Sequence, residues 1–228
     1  MGAFNDLNII IPTLDEAENI GELLNQIIKL YPGAHITVVD DGSKDGTQSI
    51  VQRTKGVKLI DRKLQKIKGL TVSVMDGIMD SKQPYFIVMD ADFQHPLYQV
   101  VNIYHTIIEG NQIVIGTRNQ VLSDWPLSRR IVSKSAIFLG TMRLLISGKY
   151  YKDVVSGFFG GYTAPIKETI IKHGDKFEME GYKVLFDILK YIKEPTVDYV
   201  KYDFGSRGAG SSKMGKKQVL CYFRSLFK

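Results

Sequence analysis

A chain of 228 residues with 44% hydrophobic and 24% charged side chains suits one large soluble domain that buries well over half of its unfolded surface. Its single cysteine, Cys221, excludes a disulfide framework and a cysteine-based zinc site, and fits a reducing compartment. The net charge of +6 is unevenly placed: residues 1–200 hold 23 basic and 23 acidic side chains, and residues 201–228 hold seven basic ones against Asp203 alone. A neutral body with a basic end points to a local anionic target or a membrane surface. The N-terminus has no basic region followed by an apolar stretch, and no window reaches the ~18 uninterrupted apolar residues of a membrane helix. The chain as it stands is therefore expected to be neither secreted nor membrane-spanning.

In chain order, NIII (8–11), ITVVD (36–40), VKLI (57–60), YFIVMD (85–90) and QIVIGT (112–117) are short β-branched or aromatic runs, and they predict buried strands. Ile20, Leu23, Leu24, Ile27 and Ile28 recur at helical spacing, as do Leu97, Val100, Val101, Tyr104, Ile107 and Ile108 after Pro96. Strands alternating with helices predict an α/β fold with a parallel sheet, whose ligands collect at the carboxyl ends of the strands. Residues 12–16, 40–47, 90–94 and 116–118 fall there. Beyond residue 120 the alternation weakens. A long segment over 128–148 is followed by DVVSGFFGGYT (153–163), which reads as a strand pair, and by EMEGYKVLFDILKYI (178–192), which reads as one helix. No repeat or linker divides the chain, so one domain over 1–228 is expected.

Two stretches carry chemistry. In VVDDGSKDGT (38–47), Asp40 and Asp41 close a strand, and Gly42, Ser43, Asp45, Gly46 and Thr47 supply a turn and an N-cap for a following helix. Neither G-x-G-x-x-G nor a P-loop is present. In MDADFQHP (89–96), continued extension past the strand would put Asp90, Asp92 and Gln94 on one face. Buried carboxylates without a partner cost several kcal/mol, on the order of 5 each. Their oxygens suit Mg²⁺ or Mn²⁺, which complete their shell with water and the phosphates of a nucleotide. His95, before Pro96 at a strand-to-helix junction, reads as structural.

IPTLDEAENI (11–20), VVDDGSKDGT, MDADFQHP, GTR (116–118), DVVSGFF (153–159) and the spaced set Phe204, Arg207, Gly210, Ser212 and Lys213 together resemble the family 2 glycosyltransferases of GT-A fold. The likeness spans essentially the whole chain and is nearest to the polyprenyl-phosphate sugar transferases, the branch of the dolichol-phosphate mannose synthases. It implies a Rossmann-like, mostly parallel sheet flanked by helices, and an inverting transferase that moves mannose from GDP-mannose to a polyprenyl (dolichyl) phosphate with Mg²⁺ or Mn²⁺.

The resemblance also implies roles. Pro12, Leu14, Glu16, Val38, Lys68 and Ala91 would form the nucleotide pocket, with Asp40 or Asp41 on the base and Asp90 on the ribose. Asp92 and Gln94 would hold the metal. Arg118, Arg130, Arg207 and Lys213 would hold phosphates, Arg129 competing with Arg130. Two departures stand out: Leu14 occupies a position usually polar-capable, and Gly69-Leu70-Thr71 replaces Gly-Leu-Gly. A phosphate acceptor removes the need for a general base, because a phosphomonoester with a second pKa near ~6 is already largely dianionic at neutral pH.

The basic C-terminal segment 213–228 includes KKQVLCYFRSLFK, with Val219, Tyr222, Phe223 and Leu226 on one side and Lys217, Arg224 and Lys228 on another. Such a helix either lies at the headgroup level or packs on its own domain. SAIFLGTMRLLI (135–146) is a second candidate for lipid contact. Peripheral association with the cytoplasmic face of a membrane is expected, alone or through an anchoring subunit, and no nucleic acid. Alternatives are a UDP-glucose-dependent enzyme, a family 2 transferase with a hydroxyl acceptor, or a basic lipid- or nucleic-acid-binding module.

Overall fold

The five apolar runs form strands β1 (Leu7–Thr13), β2 (His35–Asp40), β3 (Val57–Asp61), β4 (Tyr85–Val88) and β5 (Ile113–Val121). The computed structural model describes residues 3–121, 127–205, 208–209 and 215–228, giving for residues 120, 121, 127–132 and 216 the backbone only. Helices α1 (Ala17–Leu30), α2 (Thr47–Arg53), α3 (Leu70–Asp80), α4 (Gln99–Ile108) and α5 (Leu127–Ile146) are interleaved with them. Then come β6 (Phe159–Tyr162), α6 (Thr163–His173), α7 (Val184–Tyr191), β7 (Val197–Phe204) and α8 (Lys216–Phe227).

The sheet runs β3-β2-β1-β4-β6-β5-β7. β6 pairs antiparallel with both β4 and β5, while every other pairing is parallel. Residues on β1 alternate between two cores. Ile9 and Ile11 meet Ile20, Leu24, Val100 and Ile103 on the α1 and α4 side. Ile10 meets Val74, Ile78 and Phe86 in the core that extends to α5, α6, α7 and α8. Burial on both faces explains why these strands read as continuous apolar runs.

The later chain departs from expectation. β4 stops at Val88, two residues short of Asp90. DVVSGFFGGYT supplies one strand, β6, because residues 153–158 form a turn in which Ser156 Oγ donates to the carbonyl oxygen of Gly116 at 2.7 Å. The helix expected over 178–192 covers only Val184–Tyr191, since Gly181 folds back and its N–H donates to Glu178 O at 2.8 Å. β7, α3 and α6 were not anticipated.

α8 packs on its own domain. Tyr222 Oη donates to Ala136 O at 2.5 Å, Ser225 Oγ to Asp187 at 2.6 Å, and Arg143 Nε to Leu226 O at 2.9 Å. Gly140 permits that approach, because a Cβ there would meet Tyr222 Oη at 2.5 Å. The expected stripe is split: Tyr222 and Leu226 are buried with Cys221 and Ser225, whereas Phe223 faces outward with Leu220 and Phe227. No helix among the described residues is long and apolar enough to cross a membrane.

Candidate active site

The carboxyl ends of β1, β2, β4 and β5 and the amino end of β6 meet at one edge, where a cleft of ≈ 360 Å³ opens. From β2 to β5 is four strand spacings, about 19 Å. That span separates three groups of side chains.

At the β2 end the turn Asp40–Thr47 locks two loops together. Asp40 is fully buried and accepts from Thr13 Oγ1 (3.0 Å), Gly42 N (3.1 Å), Ser43 N (2.9 Å) and Gln48 Nε2 (2.7 Å). So saturated, it fixes the turn and does not face the cleft. Ser43, Asp45 and Thr47 accept the backbone N–H groups of Asp15, Ala17 and Glu16 at 2.7–2.9 Å, so this turn satisfies the start of α1 from across the loop. Asp45 also accepts from Thr47 N at 3.0 Å, while the N-cap of α2 is Gly46, which supplies no side-chain cap.

Asp41 does line the cleft, accepting from Gly69 N at 2.7 Å and Arg62 Nε at 3.2 Å. Lys68 stands behind it, 3.9 Å from Asp41 and donating to Arg62 O, and does not line the cleft. The side chain of Val38 belongs to the core. Of the residues expected around the nucleotide, Asp40, Val38 and Lys68 are therefore supports, and Pro12, Leu14, Glu16, Asp41, Asp90 and Ala91 are wall.

At the centre, the acidic residues converge by a turn and not by strand alternation. Phe93 has φ +63° and Asp92 Oδ1 accepts from Gln94 N at 3.1 Å. Asp92 and Gln94 are 4% and 5% exposed, yet both reach the cleft. Gln94 Nε2 donates to Gly205 O at 3.2 Å, so any ligation by Gln94 is through Oε1. Gly205 N and Gly208 N donate to Gln94 O and Asp92 O at 3.1 and 3.0 Å, docking the chain on both sides of position 207 onto this turn. Among the described residues no group of three or more His, Cys, Asp and Glu is placed to hold a metal. Two oxygen donors in a cleft with room for water and phosphate nonetheless match a hard divalent ion that keeps much of its shell from its substrate.

His95 is structural, as expected. Its Nδ1 accepts from Asp90 N at 3.0 Å, which leaves the proton on Nε2, and its ring stacks on Phe158 at 4.9 Å. Burial pushes its pKa down to about 4.

At the β5 end, Arg118 is gripped by Asp153 through Nε (3.1 Å) and Nη2 (2.8 Å). Burial alone would lower the Arg118 pKa, but the charge and hydrogen bonds of Asp153 outweigh it. Lys183, Ser133, Ala136, Ser156 and Tyr182 share this wall, and Gln218 brings α8 to its rim. Lys183 escapes sequence reasoning because it lies inside an apparent helix; the interrupting Gly181 was the available signal. Arg207 and Lys213 lie outside the described residues, as do the side chains of Arg129 and Arg130.

The model for glycosyl transferase family 2 matches residues 8–171. The chain belongs to that family. A dolichol-phosphate mannosyltransferase from Pyrococcus furiosus is 34% identical over 97% of the chain, which spans 63% of that relative's length. The enzyme of the same name from Saccharomyces cerevisiae is 25% identical over 97% of this family 2 chain and 85% of its own. Among solved structures, glucosyl-3-phosphoglycerate synthase from Mycobacterium tuberculosis with phosphoglyceric acid superposes with a TM-score of 0.67 at 17% identity, over 97% and 78% of the two chains. The same synthase with Mn²⁺, UDP and glucosyl-3-phosphoglycerate gives 0.65 at 16%, over 97% and 77%. At those identities the likeness establishes the GT-A fold alone.

Proposed function

We propose that this family 2 chain is an inverting glycosyltransferase that moves mannose from GDP-mannose to the phosphate of a polyprenyl (dolichyl) carrier. The observation that carries it is the order of groups that the strand order imposes on the cleft: Asp41 after β2 with Gly69 bonded to it, Asp92 and Gln94 after β4, and Arg118 on β5 with Lys183 bonded to Val155 before β6. A nucleotide base, its pyrophosphate and a second phosphate would fall in that sequence. The name of the Pyrococcus relative supports the choice of mannose and dolichol phosphate.

Asp92 and Gln94 would hold Mg²⁺ or Mn²⁺, which supplies charge to stabilise the leaving pyrophosphate. An acceptor phosphate oxygen forms a bond to the anomeric carbon as the bond from that carbon to the donor's β-phosphate oxygen breaks. The electron pair leaves with the nucleoside diphosphate, and no proton has to move. Two of the titratable groups at the cleft are already engaged: His95 Nδ1 accepts from Asp90 N, and Glu180 pairs with Lys217 at 3.0 Å. Arg118, held in a fixed orientation by Asp153, presents its charge to the phosphates. Arg130, Arg207 and Lys213 would join it, Arg207 standing in the sequence between Gly205 and Gly208, whose N–H groups donate to Gln94 O and Asp92 O.

Peripheral association with a membrane surface is part of the same proposal, with or without an anchoring subunit. Phe138, Met142, Leu145 and Ile146 on α5, and Leu220, Phe223 and Phe227 on the adjoining α8, are exposed. Lys134, Lys217 and Arg224 lie exposed among them, as suits an anionic leaflet.

Thermal shift against GDP, UDP and their sugars with Mn²⁺ tests the donor. A larger rise in Tm with GDP at equal concentration is expected; a larger rise with UDP replaces mannose by the glucose alternative.

A further inference from the structure

Lys183 is a cation with no ion pair within 4.0 Å among the described residues. Its Nζ donates to Val155 O at 2.8 Å and lies 4.5 Å from the centre of the Tyr182 ring. An ammonium has three donors, and among the described residues one is used. Asp153, one of the two acids that act on it, is already engaged and gives both oxygens to Arg118. Arg118 from β5 repels Lys183, and Asp153 and Asp90 attract it from the turns before β6 and after β4 without forming an ion pair within 4.0 Å. Lys183 is half-buried against the cleft wall, so part of its hydration is lost in the free protein, and an anion that enters the cleft makes good the deficit.

The position of Lys183 says which anion. Val155, its hydrogen-bond partner, precedes β6, two strands and about 10 Å beyond β1, whose end starts the base-binding wall. The wall beside Lys183 includes Ser133 and Ala136 of α5 and Gln218 of α8, the two helices that carry the exposed apolar stripes. Lys183 therefore shares its cleft with the two helices against which a lipid would rest.

We infer that Lys183 binds the acceptor phosphate, supplying the free ammonium donors while Arg118, held in a fixed orientation by Asp153, supplies the rim. This rests on the polyprenyl-phosphate transfer proposed above. A point charge on a flexible stem suits a group that must bind a dianion and let it go once one oxygen is glycosylated and the charge has fallen.

The test is steady-state transfer from GDP-mannose to a short polyprenyl monophosphate in detergent, with Lys183→Met, Lys183→Arg and the unaltered chain. Lys183→Met is expected to raise the acceptor KM about ten- to hundredfold, the loss of one charge-assisted bond. The Kd for GDP with Mn²⁺ should stay within about twofold, and Lys183→Arg should recover most of the acceptor affinity. Inorganic phosphate should compete against the acceptor less well in Lys183→Met than in the unaltered chain. An unchanged acceptor KM, or a loss confined to GDP affinity, overturns the inference. Absence of transfer by the unaltered chain with every nucleotide sugar overturns instead the function on which it rests.

Discussion

Asp153 holds Arg118 by both carboxylate oxygens, and it does so from a backbone position with φ +42°. A non-glycine residue there is strained, and the strain is maintained by what the side chain grips. Asn tolerates the left-handed region but cannot neutralise a guanidinium. Asp153→Asn is therefore expected to keep Tm within a few degrees while lowering kcat/KM for transfer roughly a hundredfold, as removal of an electrostatic support does. Melting and transfer measured side by side check this.

Gly69 is the second point where geometry admits little change. It sits at φ +151°, its N–H donates to Asp41, and a Cβ would come within 3.0 Å of the Glu180 backbone. Gly69→Ala is expected to cost about 1–3 kcal/mol and to push the backbone at Met179 and Glu180 away from Gly69 and Asp41. Isothermal titration should show weaker GDP binding together with a lower melting temperature.

Most of the central sheet was legible in the sequence, and so was the edge that carries the cleft. β1 and β2 are buried on both faces, so Leu7–Ile11 and Ile36–Asp40 leave an unambiguous apolar signature. The acidic turn was legible as composition and not as geometry: Asp90, Asp92 and Gln94 line one cleft, but β4 ends at Val88 and the left-handed Phe93 turns the chain. β6 was unreadable as an antiparallel strand because Gly160 and Gly161 carry no side-chain pattern, and they are glycine because Phe86 O and Gln112 O approach too closely for a Cβ. Lys183 was hidden because the apolar spacing of α7 continues backward through Met179 and Tyr182, although hydrogen bonds there run to Thr71 and not along a helix. In α8 the sequence marks an apolar helix but not which half of it the domain takes, a choice made by Gly140 and Asp187 on other elements.

The acceptor site should titrate. Burial, the largest cause, and Arg118 push the Lys183 pKa down from 10.5 to about 8, against the pull of Asp153 and Asp90. The charged form binds phosphate, so acceptor kcat/KM is expected to fall as pH rises through about 8. On the acid side it should fall below about 6, where the acceptor becomes a monoanion. Stability moves the other way on the alkaline side. The folded pKa lies below the unfolded one, so the folded chain loses its proton first and stability from this residue rises between pH 8 and 10.5. Lys183→Arg should move the alkaline limb upward; a limb that stays in place would assign it to another group.

The exposed stripes on α5 and α8 should carry membrane affinity. Phe223→Asp with Phe227→Asp alters two outward-facing residues, 45% and 86% exposed, and leaves Tyr222 and Leu226 in the core. Cosedimentation with vesicles rich in phosphatidylglycerol is expected to fall at least fivefold, about 1 kcal/mol, with GDP binding unchanged. Equal sedimentation of both proteins would place the membrane contact elsewhere.

The central claim is transfer to a lipid phosphate assisted by a divalent ion held at Asp92 and Gln94. Its most direct test is radiolabelled GDP-mannose incubated with polyprenyl phosphate and Mn²⁺, followed by organic extraction, for the unaltered chain and for Asp92→Ala. The account predicts label in the organic phase that depends on Mn²⁺ or Mg²⁺ and disappears with Asp92→Ala. Label that persists in Asp92→Ala, or survives removal of every divalent ion by chelation, would contradict it.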